Sequence, residues 1–253
     1  MNGILRWLGG WLARYLSRRH HIHGTAPGTS IEQLRRHIKP GDVLLVEGDT
    51  RISQAIKYLT QSTWSHAALY VGEYLQVGGN TSHHCFIEAD TVDGVRSIGF
   101  EEYQGMHLRI CRPLHLNDKD LQHLIHYAIS RIGHHYDLRN VVDLARYLIP
   151  TPPVPQRFRR RMLALGSGDP SQAICSSLIA QSFQSIRYPI LPLIEQKQGS
   201  DMNCPECIQE ILHVRHHSLF VPRDFDVSPF FQVIKPSASQ DFDFHGITWH
   251  QED

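Results

Sequence analysis

The 253-residue sequence has few of the features that mark several large protein classes. Its five cysteines are odd in number and scattered, which does not fit a disulfide framework and favours a reducing compartment. Lys plus Arg and Asp plus Glu each number 25, so no net charge attracts a polyanion. We therefore expect no nucleic acid partner.

No apolar run reaches the roughly 18 residues that a membrane span requires. The first residues also lack the basic start, uninterrupted apolar core and small-residue cleavage site of a secretory signal. These absences predict a cytoplasmic protein without a transmembrane helix.

Residues 1–20 nevertheless have the pattern of an amphipathic basic helix. Apolar side chains recur there at helical spacing, and four arginines lie largely outside that stripe. Tryptophan on the apolar face beside arginine suits the headgroup region of an anionic membrane surface, which would make the protein peripheral on the inner face of the membrane. The same stripe also suits a helix docked on its own domain or on a partner chain, and both interpretations stay open.

Strand patterns dominate residues 43–113, and helix patterns dominate the residues that follow. The predicted strands are 43–47, the segment that begins near His66, 84–89, 95–98, 107–113 and 230–234. The predicted helices are 30–38, 52–59, a helix capped by Asn117 that stops at Gly133, 138–148, and Ser171 to about Arg187. We expect the remaining C-terminal residues to be loop-rich, with a polar tail from Lys235.

Two residues more than a hundred positions apart have the chemistry of a base and a nucleophile. Cys175 lies at the start of a helix pattern, where unpaired amides and the helix dipole stabilise a thiolate. His66 opens an otherwise apolar strand, and its small neighbours leave room for a second side chain. Taken singly, Cys175 also fits a small buried hydrophobe, and His66 also fits a hydrogen-bonded core histidine.

Glu88 is the candidate third group of such a site. It lies on the strand after that of His66, where a carboxylate would orient the imidazole through the second ring nitrogen. A solvated strand end beside a turn is the alternative role for this acid.

Several short motifs, in their order along the chain, resemble the circularly permuted papain-like cysteine hydrolases, the YiiX/YebB-like branch of the NlpC superfamily. The motifs are Lys39-Pro-Gly-Asp-Val-Leu-Leu, Ser65-His66-Ala-Ala-Leu-Tyr-Val-Gly, Ile87-Glu88-Ala with Gly94-Val95, Tyr136-Asp137, and Cys175-Ser176-Ser-Leu-Ile-Ala. The resemblance covers roughly residues 38–235 and implies an α+β fold in which an antiparallel sheet or barrel packs against the cysteine helix. We accordingly divide the chain into an amphipathic helix (1–20), a linker with a short helix (21–37), the hydrolase domain (38–235) and a polar tail (236–253).

The resemblance also implies a chemistry without a metal or cofactor in the mechanism. Cys175 would be the nucleophile, His66 the base and Glu88 the orienting group, and Tyr136 would line the site or assist the oxyanion, with Ser65 and Ser176 beside it. The chain departs from the family pattern at Ser177, where many relatives carry glutamate. Relatives act on peptide amides or on acyl lipids, and a membrane-lying helix favours acyl lipids or small amides here.

A metal site of separate origin is a further possibility in the C-terminal third. Cys204 and Cys207, followed by His213, His216 and His217, supply the thiolate and imidazole ligands that tetrahedral zinc prefers. We expect a structural role if zinc binds at Cys204, Cys207, His213 and His217; ordinary exposed or core residues are the alternative.

The sequence thus predicts a cysteine hydrolase that cleaves amide or ester bonds through a thioester acyl-enzyme. Two alternatives stay open: an acyltransferase on the same fold, because water and another nucleophile resolve the same intermediate, and a membrane-associated binding or scaffold protein without turnover.

Overall fold

The computed structural model describes residues 28–75, 83–90, 93–134, 174–198 and 208–235. Its helices are α1 (Ile31–His37), α2 (Arg51–Thr60), α3 (Asp118–Ser130), α4 (Ile174–Ser185) and α5 (Pro222–Asp226). Its strands are β1 (Val43–Glu47), β2 (His66–Tyr70), β3 (Phe86–Asp90), β4 (Gly94–Ile98), β5 (His107–Pro113), β6 (Leu193–Gln198), β7 (Ile208–His213) and β8 (Phe231–Ile234). Single 3₁₀ turns occur at Gly72–Leu75, Phe100–Tyr103 and His217–Leu219. The segments 1–20, 138–148 and 236–253 of the sequence predictions lie outside the described residues.

Six of the strands form one antiparallel sheet in the order β4-β3-β2-β1-β5-β8. Helix α4 packs on β2 and β3, and α3 packs on α4. The prediction of an α+β fold with an antiparallel sheet against the cysteine helix is therefore confirmed. Among the described helices, none combines the length and the apolar character that crossing a membrane requires.

The alternation of side chains along the strands divides the core into two layers. Ala67 and Leu69 of β2 belong to the layer that contains Leu178 of α4. Ala68, between them, faces the other layer, which contains Phe86 and closes against Leu34 of α1. Both faces of β2 are therefore buried, as the apolar run after His66 indicates.

Helix α3 begins where its capping residue predicts. The Asn117 side chain accepts a hydrogen bond from the backbone N–H of Asp120 at 2.9 Å, and Asp118 and Asp120 lie in the first turn. This cap satisfies one of the unpaired amides of a helix start, so a local sequence signal fixes the boundary.

The expectation of a loop-rich segment between α4 and the last strand is wrong for the described residues. Strands β6 and β7 pair there as a separate antiparallel hairpin, with Ile194 opposite Leu212. Leu193 is 63% exposed and Ile194 is 56% exposed. Leu193, Ile194 and Leu212 all stay outside the core, and such exposed strands lack the alternation of apolar and polar residues by which a half-buried strand is identified.

Candidate active site

The side chains of Trp64 and Ser65 fix the backbone that leads into His66. The Trp64 indole N–H donates to Asp226 Oδ2 at 3.1 Å, and the Arg109 guanidinium lies 4.8 Å from the centre of the Trp64 ring. The buried Ser65 hydroxyl accepts a hydrogen bond from the Gly48 N–H at 2.9 Å. His66 then follows as the first residue of β2, opposite Val46 of β1.

Glu88 lies on the neighbouring strand β3 and reaches the His66 ring. Its Oε2 is 2.7 Å from His66 Nε2. The residue is only 4% exposed, so its charge requires partners inside the protein. The Tyr103 hydroxyl donates to Oε2 at 3.1 Å, and the Arg96 Nε–H donates to Oε1 at 2.9 Å.

These contacts assign the protonation of the imidazole. Glu88 receives hydrogen bonds from Tyr103 and Arg96, and an ionised carboxylate can only accept. The short contact with His66 therefore has Nε2–H as its donor. Nδ1 is then the ring nitrogen that remains to exchange a proton on the opposite side.

The Cys175 side chain lies close enough to the His66 ring to raise its pKa. Cys175 lies in the first turn of α4 and is 4% exposed. The next side chain anchors this turn, because the buried Ser176 hydroxyl donates to the Phe220 carbonyl at 2.8 Å. The structure thus places the Cys175 side chain beside the His66 ring, whose Nε2 is hydrogen-bonded to Glu88.

The charges of Cys175 and Glu88 favour a positively charged His66 imidazole. Burial lowers the pKa of His66, but the negative charges of Cys175 and Glu88, together with the hydrogen bond to Glu88, outweigh burial and hold the pKa well above its ordinary value. The side chain is 26% exposed and thus retains some contact with solvent. Near neutral pH the ring therefore carries a proton that it can donate.

The carboxylate of Glu88 stays ionised over a wide pH range. Burial alone would raise the pKa of Glu88, but the charges of His66 and Arg96 and their hydrogen bonds lower it to about 2. Burial and the neighbouring Glu88 charge raise the pKa of Tyr103, so its phenol remains a hydrogen-bond donor. All partners of Glu88 thus stabilise its charged form.

The remaining predicted site residues are only partly within the described residues. Tyr136, Cys204 and Cys207 lie outside them. His213 forms a 2.7 Å contact with Glu195, and His217 Nδ1 lies 3.1 Å from Gln181 Nε2. Within the described ranges, no three His, Cys, Asp or Glu side chains are grouped so that they could hold a metal ion. Because both cysteines lie elsewhere, structural zinc stays a prediction.

Arg96 and Tyr103 are the members of the network that sequence reasoning missed. A two-residue turn at Asp93-Gly94 would have set Glu88 opposite Gly99, whereas the strands pair Asp90 with Gly94, and this register sets Glu88 opposite Arg96. Tyr103 belongs to a 3₁₀ turn that no strand register places beside Glu88.

Comparisons with known proteins match part of the chain to a protein family, and solved structures, YiiX among them, match it at low similarity. No curated protein matches the chain. The crystal structure of the metalloprotein YiiX from Escherichia coli O157:H7 is 16% identical, has a TM-score of 0.43, and covers 78% of this chain and 96% of its own. Those values are too low to transfer any property of YiiX to this chain.

The family match covers residues 37–147, which include His66 and Glu88 and end before Cys175. The matching model describes the permuted papain-like amidase enzymes of the YaeF/YiiX, C92 family. The prediction of an enzyme of the amide-hydrolase class is confirmed at this level. Through residues 37–147 the chain is thus similar to the permuted papain-like amidases, which confirms the family resemblance of the motifs within those residues.

Proposed function

We propose that the chain is a cysteine hydrolase that cleaves amide or ester bonds through a thioester. Cys175 is the nucleophile, His66 the base and Glu88 the orienting group. The observation that supports this assignment is the position of the His66 ring, which is hydrogen-bonded to Glu88 Oε2 at 2.7 Å and lies close enough to the Cys175 side chain for that group to raise its pKa. Acyl transfer by a thiol requires a nucleophile, a base beside it and a third group that orients the base.

In the proposed reaction, the proton of the Cys175 thiol already lies on His66 Nδ1, and the sulfur of the resulting thiolate attacks the carbonyl carbon of the substrate. The backbone N–H at the start of α4 stabilises the negative oxygen of the tetrahedral intermediate. The imidazolium then gives its proton to the leaving amine or alkoxide, which leaves a thioester on Cys175. Water, deprotonated by the now neutral His66, attacks the thioester carbonyl, and the thiolate leaves together with the carboxylic acid product, which restores the thiolate and imidazolium pair.

We propose acyl lipids or small amides as the substrate class. The basic amphipathic pattern of residues 1–20 supports a substrate at a membrane surface, because such a helix would hold the domain beside lipid headgroups. An acyltransferase would share every step up to the thioester. A screen of acyl lipids and aminoacyl amides, with Cys175→Ala as the inactive control, identifies the substrate class. Its products show whether water or another nucleophile resolves the thioester.

Alkylation with iodoacetamide tests the nucleophile without a known substrate. At pH 6.5 to 7 we expect Cys175 to be modified at least about tenfold faster than Cys85 or Cys111, measured by peptide mass mapping over time. Those two thiols are internal references, because burial raises the pKa of Cys85 to about 12 and raises that of Cys111 as well.

The His66→Ala variant is the control for this labelling. Its loss of the imidazole should reduce the Cys175 rate towards that of the reference thiols, since the imidazolium charge no longer stabilises the thiolate and only the helix start does. Labelling of Cys175 no faster than of Cys85 in the unmodified protein would argue for the scaffold alternative.

A further inference from the structure

Arg96 and His66 both contact the Glu88 carboxylate, each through a different oxygen. It lies opposite Glu88 in the β3–β4 pair. Two of its nitrogens, Nε and Nη2, are 2.9 and 2.8 Å from Glu88 Oε1. His66 Nε2 contacts the other oxygen, Oε2. One carboxylate oxygen therefore serves the guanidinium and the other serves the imidazole.

Counting charges shows what Arg96 contributes to the site. A Cys175 thiolate, a His66 imidazolium and a Glu88 carboxylate together carry one excess negative charge. Glu88 and Cys175 are each 4% exposed, so water screens that charge weakly. The Arg96 guanidinium brings the sum to zero.

Two further carboxylates, those of Asp93 and Asp90, interact with the Arg96 guanidinium. Asp93 Oδ2 lies 2.8 Å from Arg96 Nη1, and the negative charge of Asp90 also raises the pKa of Arg96. The Asp93 side chain is 57% exposed, so solvent screens it. Tyr103 donates to Glu88 but brings no charge. Within the described residues, Arg96 is thus the cation that shares Glu88 with His66.

We propose that Arg96 is a positioning residue that draws part of the Glu88 charge away from His66, so that the imidazolium can release its proton to the leaving group. This inference rests on the proposed role of His66 as the base. A general acid that holds its proton too tightly transfers it slowly, and an unshared buried carboxylate would hold it in that way. Arg96 is therefore expected to act through Glu88 without touching the substrate.

The test is an NMR titration of the His66 ring with ¹⁵N-labelled histidine. The signal is assigned by its loss in His66→Gln, and the measurements use a Cys175→Ala background, which removes the coupled titration of the thiol. Arg96→Met should raise the His66 titration midpoint by roughly one pH unit, because a neighbouring positive charge is removed. Arg96→Lys keeps the charge and should stay within about 0.3 unit of the background value.

Arg35→Met is the matched control, since Arg35 forms a 3.6 Å surface ion pair with Glu101 and contacts neither Glu88 nor His66 among the described interactions. Its midpoint should not move. An unchanged or lowered midpoint in Arg96→Met, or an equal rise in Arg96→Lys, would overturn the proposal. Arg96→Gln serves the same test if the Met variant does not fold.

The titration needs no turnover, so it is independent of the iodoacetamide result. Slow labelling of Cys175 would reject the proposed nucleophile and still leave the effect of Arg96 on His66 measurable. Fast labelling with an unmoved midpoint would reject only the role of Arg96.

Discussion

Glu88 illustrates how a buried charge becomes compatible with folding when each of its oxygens has donors. His66 and Tyr103 share one oxygen, and Arg96 occupies the other with two nitrogens. Removal of any one partner leaves part of a buried carboxylate unsatisfied, which costs more than an exposed ion pair is worth. The same contacts that stabilise the charge also fix the direction in which Glu88 faces His66.

The low pKa of Glu88 predicts a loss of stability in acid. The folded-state pKa is about 2 against an ordinary value of 4.5, so the unfolded chain binds the proton more readily. The contribution of Glu88 is present above pH 4.5 and is lost as the pH falls towards 2. At pH 3 the loss is on the order of 2 kcal/mol, measured as the free energy of unfolding in urea at pH 5.5 and pH 3.

Glu88→Gln isolates this contribution, because an amide does not titrate in the range. The decrease in stability between the two pH values should be smaller in the variant by about the same 2 kcal/mol, whatever its stability at pH 5.5. Other carboxylates cancel in the difference between the two proteins. An equal decrease in both would contradict the assigned pKa.

The sequence identifies the individual polar residues of the site better than it identifies their supports. His66 and Cys175 are recognisable because each is a reactive side chain in an apolar element. Arg96 looks like an ordinary exposed strand residue until the register places it opposite Glu88. Tyr103 could not be found, because its approach to Glu88 depends on tertiary packing against Phe86, 5.1 Å between ring centres.

Helix α4 and the β6–β7 hairpin differ in how firmly they belong to the fold. Leu178 of α4 is 1% exposed, among core side chains of the layer that faces β2. Leu193 of β6 is 63% exposed. Two leucines of the same chain therefore sit in contrasting environments, and the cost of truncating each one reports the packing of its element.

We expect Leu178→Ala to lower the free energy of unfolding by about 2–5 kcal/mol, because it removes buried methyl groups and leaves a cavity. Leu193→Ala should cost less than about 1 kcal/mol, since little area is lost from the core. Urea denaturation of both variants measures the difference. Comparable costs would mean that the hairpin is packed in solution.

Elements with a core-facing pattern were predictable, whereas the hairpin was not. The segment that begins at His66 alternates between two buried layers, and Asn117 marks the start of its helix. The strands β6 and β7 pair with each other, and their apolar residues Leu193, Ile194 and Leu212 are exposed. No hydrophobic periodicity in the sequence therefore predicts them. Their pairing follows from a contact between two segments, which a local pattern does not contain.

For the whole molecule, the amphipathic pattern of residues 1–20 predicts attachment to anionic vesicles. Deletion of these residues should abolish co-sedimentation with phosphatidylserine-containing liposomes, because the apolar stripe and its arginines are removed. The Cys175 labelling rate should be unchanged, since that site is assembled from later residues. Co-sedimentation that persists after the deletion would place the membrane contact outside residues 1–20.

The order in which the site residues occur also bears on synthesis. His66 and Glu88 precede Cys175 by roughly 90 to 110 residues, and β8, which covers the edge of β5, comes later still. At ordinary ribosomal rates of about 5–20 residues per second, roughly 5 to 20 s separate the two halves. The nascent chain would therefore carry an imidazole and a carboxylate without a thiol, and it would be inert towards acyl compounds until most of the sheet is complete.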